Sequence, residues 1–310
     1  MHNEIVFVAG ALRSGTTMLR LMLDSHPQLT NPGEVDFLFD KISNDGLYPP
    51  VRDYLDWLST NRIFLAKQLK TDPSFSYPEL IVSFVEQFQR KNFTLTMNIH
   101  RGFSKAPKIF PNALYIHLLR DPRDVARSSV GMGWAGHPFF GVNHWINSEK
   151  SWDSLKMGLR EDQYIDVRYE HLVADPEVVL TRICEFLRIP YSNAMLCYPQ
   201  HSNYQPPDPQ LAYQWKSKLS KPQVQLVESK AADMIEERGY KLSGYQPCVP
   251  GPIERRFLKT LNISRISAFE IARYGPVTFL LDKISKLFGL KKLAKSVILE
   301  KNYIDMRHLK

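Results

Sequence analysis

No apolar run in the sequence approaches the roughly 18–20 residues that a helical membrane span needs, which argues against a spanning anchor. Cysteine is scarce. Cys184, Cys197 and Cys248 lie far apart, form no CxxC pair and are odd in number, so neither a disulfide framework nor a zinc site is expected, and a reducing compartment fits. Internal repeats and low-complexity tracts are also missing, which sets aside solenoids and disordered linkers. The first apolar run, Ile5–Ala9, leads straight into a loop dense in polar side chains and not into a cleavage site. No secretory leader is read, and the expected location is the cytoplasm.

Most of the chain also lacks a charge excess. Residues 247–310 hold 13 of the 40 Lys and Arg but 5 of the 32 Asp and Glu, a net of +8, which leaves 27 of each sign in residues 1–246. A basic groove for nucleic acid is therefore not expected; a basic appendage is. What is present is apolar residue in quantity, 44% of 310 residues, enough for a large core. The expected organisation is a main domain over residues 1–246 and a basic helical extension over residues 247–310, joined by a proline-marked stretch at 247–252.

Short apolar segments alternate with helical patterns. Ile5–Ala9 and Leu114–Leu119 read as buried strands, residues 93–99 and 164–167 as further strands, and residues 16–25, 78–90, 122–130, 177–187 and 223–238 as helices. Residues 198–209, with four prolines, read as a loop. The alternation predicts an α/β fold: a P-loop-like central parallel sheet with helices on both faces, plus a helical basic C-terminal extension.

Residues 10–17 read Gly-Ala-Leu-Arg-Ser-Gly-Thr-Thr, directly after a strand and opening a helix. This is the spacing of a phosphate-binding loop with threonine where the nucleoside-triphosphate motif has lysine. The cradle survives the change, because backbone N–H groups and the helix dipole still meet an anion. Arg13 and the hydroxyls of Ser14, Thr16 and Thr17 remain as donors, and a guanidinium suits sulfate or phosphate oxygens. The plainer alternative is a capped helix after a glycine turn. A second candidate lies at the end of the Leu114–Leu119 strand, where α/β sheets place ligands: Arg120, then Asp121-Pro122 opening a helix that carries Ser128. Taken alone, that segment also reads as an ordinary capped helix.

Together, LRSGTTMLRLMLDSHP and IHLLRDPRDVARS resemble the paired motifs that bind 3′-phosphoadenosine 5′-phosphosulfate (PAPS) in the sulfotransferase family. They are most similar to its bacterial branch and to the tyrosylprotein sulfotransferases. VRYEHLVADP resembles a recurrent segment of that family more weakly. The resemblance implies that Arg13, Ser14, Gly15, Thr16 and Thr17 hold the 5′-phosphosulfate and that Arg120 and Ser128 hold the 3′-phosphate. It implies transfer of a sulfuryl group to a hydroxyl or amine, release of adenosine 3′,5′-bisphosphate, and no metal. Glu34 resembles the glutamate that acts as base in tyrosylprotein sulfotransferases, with Asp36 as the fallback. The chain departs from the family where relatives carry a lysine ahead of the second motif. Here the residues are Asn98-Ile99-His100-Arg101, with Lys105 beyond, so either His100 donates to the leaving group or Arg13 carries the charge. Trp134, His137, Phe139, Phe140, His144 and Trp145 either line an acceptor pocket or pack in the core; packing is expected for Trp145.

Three classes of function are therefore in play. The first is a PAPS-dependent sulfotransferase acting on a glycan, glycolipid or small molecule. The second is a P-loop kinase or NTPase that uses Asp121 on magnesium, against which the missing lysine counts. The third is a catalytically inactive sulfotransferase-like binding protein. In the extension, Phe279, Leu280, Ile284, Leu287, Phe288, Leu290, Leu293, Val297 and Ile298 recur at helical spacing among lysines. Such a basic amphipathic segment, residues 275–310, either lies on an anionic membrane, packs on its own domain or pairs with a second subunit as a homodimer.

Overall fold

A computed structural model describes residues 5–308. Among them, five strands form one sheet: β1 (Ile5–Ala9), β2 (Leu29–Thr30), β3 (Thr94–Ile99), β4 (Leu114–Leu119) and β5 (Tyr164–Arg168). Their order is β2-β3-β1-β4-β5, and every pairing is parallel. The expected α/β architecture is the one found.

The apolar runs are continuous because both faces are covered. Alternate residues of β1 enter opposite cores, as the period of two requires. Phe7 and Ala9 join Met97, Ile99 and Tyr115 beneath α4 (Tyr77–Phe88) and the C-terminal part of α6 (Pro138–Lys156). Val6 and Val8 join Ile116 and Leu118 beneath α1 (Thr16–Asp24), α7 (Tyr169–Ala174) and α8 (Pro176–Phe186). A third cluster packs α5 (Pro122–Gly131) and α6 against α10 (Lys221–Glu237) around Val125, Trp145 and Val227.

Local signals set the boundaries. α4 opens with a capping box of Ser76 and Glu79, and Asp121 caps α5 by accepting from the Arg123 N–H at 2.9 Å. The 19-residue α6 is an element the sequence reading did not resolve. Its aromatic crowding hid a helix that buries both Trp145 and Trp152, so Trp145 packs as expected. Two short helices, α2 (Val51–Leu58) and α3 (Arg62–Lys67), were likewise not anticipated.

The extension forms α11 (Pro252–Tyr274), α12 (Pro276–Leu287) and α13 (Lys291–His308). It folds back on the body at two places. The Asn262 side chain accepts from the Gly136 N–H at 2.8 Å, and Asn302 and Lys295 bond to Thr60 and Asp56 at 2.8 and 3.0 Å.

Candidate active site

Because every strand is parallel, all five C-terminal ends open toward the same edge, where an α/β sheet builds its sites. Register then places the groups. Ala9 lies opposite both Ile99 and His117, so β4 runs two residues, about 7 Å, past the end of β1 before Arg120. Arg120 therefore overhangs the loop that follows β1, and His100 begins level with that loop.

The loop turns tightly. The Ser14 N–H bonds the Ala11 carbonyl at 3.0 Å, and Arg13 and Gly15 take positive φ values of 74° and 93°. A Cβ on Gly15 would stand 2.2 Å from Cδ2 of Tyr169, so glycine is needed both for the turn and for the ring laid against it. α1 starts at Thr16 without a side-chain cap, leaving its first N–H groups for an anion.

The two motifs meet. Arg13 Nε donates to Ser128 Oγ at 2.8 Å, and Arg120 Nη1 donates to the Arg13 carbonyl at 3.0 Å. Arg120 also stacks on the Tyr169 ring at 4.1 Å and donates to the Leu211 carbonyl at 2.9 Å. Arg13 thus reaches across to the second motif, although the sequence grouped it with the first alone. Three buried donors here have no hydrogen-bond partner, Ser14 Oγ, Arg120 Nε and Arg127 Nε, and neither has the acceptor Asp124 Oδ2, 3.9 Å from Arg120 Nη2. Buried donors are seldom left so, and three beside one turn fit a doubly anionic ligand. Burial first, and then the like charges of Arg120 and Arg127, hold the Arg13 guanidinium below its ordinary pKa, which an arriving anion would relieve.

A cleft of about 200 Å³ joins Arg13 and Arg120 to Thr16, Thr17, Glu34, Trp134 and Tyr204. Glu34 is half-buried there, in a backbone bridge with Asn98. Trp134 lines the cleft and meets His144 edge to face, with centroids 6.2 Å apart, whereas His137 caps α6 and Phe139 is core. Lys105 bonds the Ile42 carbonyl and lies outside the cleft.

The fallback base, Asp36, is overturned. It is buried and spends both oxygens on His100, accepting from its backbone N–H at 2.8 Å and pairing with Nδ1 at 2.8 Å. The other face of that imidazole, Nε2, lies 3.1 Å from Thr16 Oγ1. Burial pulls the imidazole pKa down, but the charge and hydrogen bond of Asp36 outweigh it, and the net shift is upward. Asp36 is pushed up by burial and pulled further down by His100. The outcome is a buried His–Asp pair set against the start of α1.

Asp121 is occupied as well. It holds Arg123 at 2.7 Å and accepts from the Trp215 indole N–H at 3.0 Å, which leaves it no role as a magnesium ligand. Among the described residues, no group of His, Cys, Asp and Glu is arranged to hold a metal. A larger cavity of about 450 Å³ lies outside this cleft, beside His117, Trp152 and Arg238.

Sequence reasoning missed Tyr169 and the Tyr204–Leu211 wall. Tyr169 sits in the weaker family segment, and the wall is the proline-rich stretch read only as a loop.

Comparison with known proteins agrees with this geometry. The chain matches the model of the sulfotransferase family over residues 5–193. It is 25% identical over 210 residues to protein-tyrosine sulfotransferase A of Caenorhabditis elegans, covering 64% of this chain and 53% of that protein. It spans 41% of a Drosophila melanogaster protein-tyrosine sulfotransferase, so it covers about half the length of these relatives. Among solved structures, the sulfotransferase domain of the Synechococcus PCC 7002 olefin synthase superposes with TM-score 0.51 at 26% identity, covering 74% of this chain and 94% of that one. The sulfotransferase domain of the curacin biosynthetic pathway shares the fold, with TM-score 0.56 at 21% identity over 77% of this chain and 98% of that one. With its two motif segments meeting beside one cleft and the family match covering all five strands, the chain belongs to the sulfotransferase family.

Proposed function

We propose that the protein is a PAPS-dependent sulfotransferase whose acceptor is a hydroxyl or amine of a glycan, glycolipid or small molecule. The observation that carries this reading is the convergence of Arg13 and Arg120 on one cleft, with Ser128 bonded to Arg13 and unpartnered buried donors on Ser14, Arg120 and Arg127.

Bound PAPS supplies the activated sulfuryl group; binding, charge and proton transfer fall to this chain. The N–H groups at the start of α1, with Thr16 and Thr17, would hold the phosphosulfate end, and Arg120 and Ser128 would hold the 3′-phosphate. Arg13, bonded to Ser128, stands between the two. Positioning and fixed positive charge should provide most of the rate, as in phosphoryl transfer. Glu34 shares the cleft with Arg13 and Thr16 and takes the acceptor proton. The His100–Asp36 pair holds the imidazole Nε2 against Thr16, and the carboxylate favours its charged form, which would stand in for the missing lysine.

Calorimetric titration with adenosine 3′,5′-bisphosphate tests the donor site. Binding should occur without magnesium and weaken about 10- to 100-fold in Arg120→Ala, since charge-assisted hydrogen bonds are lost. Magnesium-dependent ATP binding without bisphosphate binding would point to the kinase reading. Labelled-sulfate transfer to a panel of glycans and lipids then identifies the acceptor.

A further inference from the structure

One of the C-terminal helices, α12, buries a polar face. The inward face of α12 carries Thr278, Asp282 and Ser285, all buried, at helical spacing. Asp282 accepts from Lys286 at 2.8 Å and Lys301 at 3.3 Å, Glu270 from Lys283 and Lys301 at 3.1 and 3.2 Å, and Thr278 bonds Glu300 at 3.1 Å. Polar and ionic contacts thus fill much of the space between α11, α12 and α13. Several apolar residues are turned outward: Val277 is 69% exposed, Leu287 78% and Phe288 68%. Of the apolar stripe, Val297 is buried and Phe279, Ile284 and Leu293 are half-buried, whereas Leu287 and Phe288 are not packed on the domain.

The exposure concentrates at the α12–α13 turn, Leu287-Phe288-Gly289-Leu290-Lys291-Lys292. The turn is well built: Phe288 and Leu290 N–H groups bond the Ile284 and Ser285 carbonyls at 3.0 and 2.9 Å, and Gly289 supplies the positive φ of 63°. Its large apolar side chains are held outward by a structured turn. Lys291 and Lys292 follow at once, exposed and, among the described residues, without an acidic partner. They stand in the first turn of α13, where the helix dipole disfavours cations and an anion nearby would offset both.

We propose that this turn docks the protein on an anionic bilayer, with Leu287 and Phe288 entering the headgroup–acyl boundary and Lys291 and Lys292 meeting lipid phosphates. An exposed apolar tip ringed by lysine fits that occupant. The charge of the tail, +8 over residues 247–310, adds long-range attraction to the same surface. A second copy fits less well, because a symmetric contact sets each basic turn against its own like. Among the described residues no helix is long and apolar enough to cross a membrane, so contact is at the surface.

The test is co-sedimentation of the full chain with vesicles of phosphatidylcholine alone, or with 30% phosphatidylglycerol, alongside analytical ultracentrifugation without lipid. Binding is expected only to the anionic vesicles. It should weaken at least about tenfold in L287D/F288D, whose side chains contribute through burial, and fall in K291E/K292E and at high salt. Binding of adenosine 3′,5′-bisphosphate should be unchanged in both variants, since these residues lie outside the cleft. No binding to anionic vesicles, or binding that both variants retain, overturns the proposal. So does a wild-type dimer that the same substitutions dissociate, which would assign the face to a second copy.

Discussion

Replacing Asp36 with Asn removes one half of a pair in which both side chains are almost wholly buried. Breaking such a pair by deleting one partner costs about 3–5 kcal/mol, because the remaining charge is left uncompensated. The imidazole can respond by losing its proton, since burial alone pushes its pKa down. The pH dependence follows from the two shifts. His100 is raised above its ordinary 6.5, so its contribution is complete below that value and is lost as pH rises through the folded-state pKa. Asp36 is lowered beneath its ordinary 3.8, so its contribution is complete above that value and is lost as pH falls through the folded-state pKa. The pair therefore stabilises most between 3.8 and 6.5. Urea denaturation of wild type and Asp36→Asn should give the largest difference near pH 5.5 and a smaller one at pH 9. At pH 7 the variant should also lose about a hundredfold in kcat, the usual effect of removing one charge-stabilising donor. A stability difference that stays flat across that pH range, or falls below about 1 kcal/mol, would refute the ion-pair reasoning.

Glu34→Gln should lower kcat about 10²- to 10⁴-fold, the range for a general base, with bisphosphate affinity unchanged by calorimetry. Full retained turnover would remove Glu34 from the mechanism. Gly15→Ala forces a Cβ into the Tyr169 ring at a φ of 93°. It should lower stability by about 1–3 kcal/mol in a thermal melt and weaken bisphosphate binding, because the turn that aims the N–H groups cannot keep its shape.

The parts of this site legible in the sequence are those in which one short segment contains both a motif and its structural context. Gly10 to Thr17 follows a strand and opens a helix, and Arg120 to Ser128 does the same, so each segment's residues were assignable from local pattern. Tyr169 was not, because its role depends on Gly15 and Arg120, which are distant in sequence. Asp36 looked like a spare base two residues from Glu34. Only the tertiary fold shows that one carboxylate enters the cleft while the other turns inward to His100. The tail illustrates a related limit. Periodicity finds two faces of a helix but does not say which is buried, and the hydrophobic rule fails at Thr278, Asp282 and Ser285 because an ion-pair network occupies the inside.

The arrangement of the cleft follows from the parallel sheet more than from any single motif. β1 is followed by the anion loop, β3 by His100, β4 by Arg120 and β5 by Tyr169, and the turn after β2 carries Glu34. Five strand ends thus contribute one group each, and strand register sets their relative heights. An antiparallel β3 would move His100 to the far edge of the sheet, away from Thr16. The lysine of relatives can therefore be absent without removing positive charge from the cleft. A residue at the end of β3 already stands within 3.1 Å of the loop, and the buried carboxylate behind it shifts that imidazole toward its charged form.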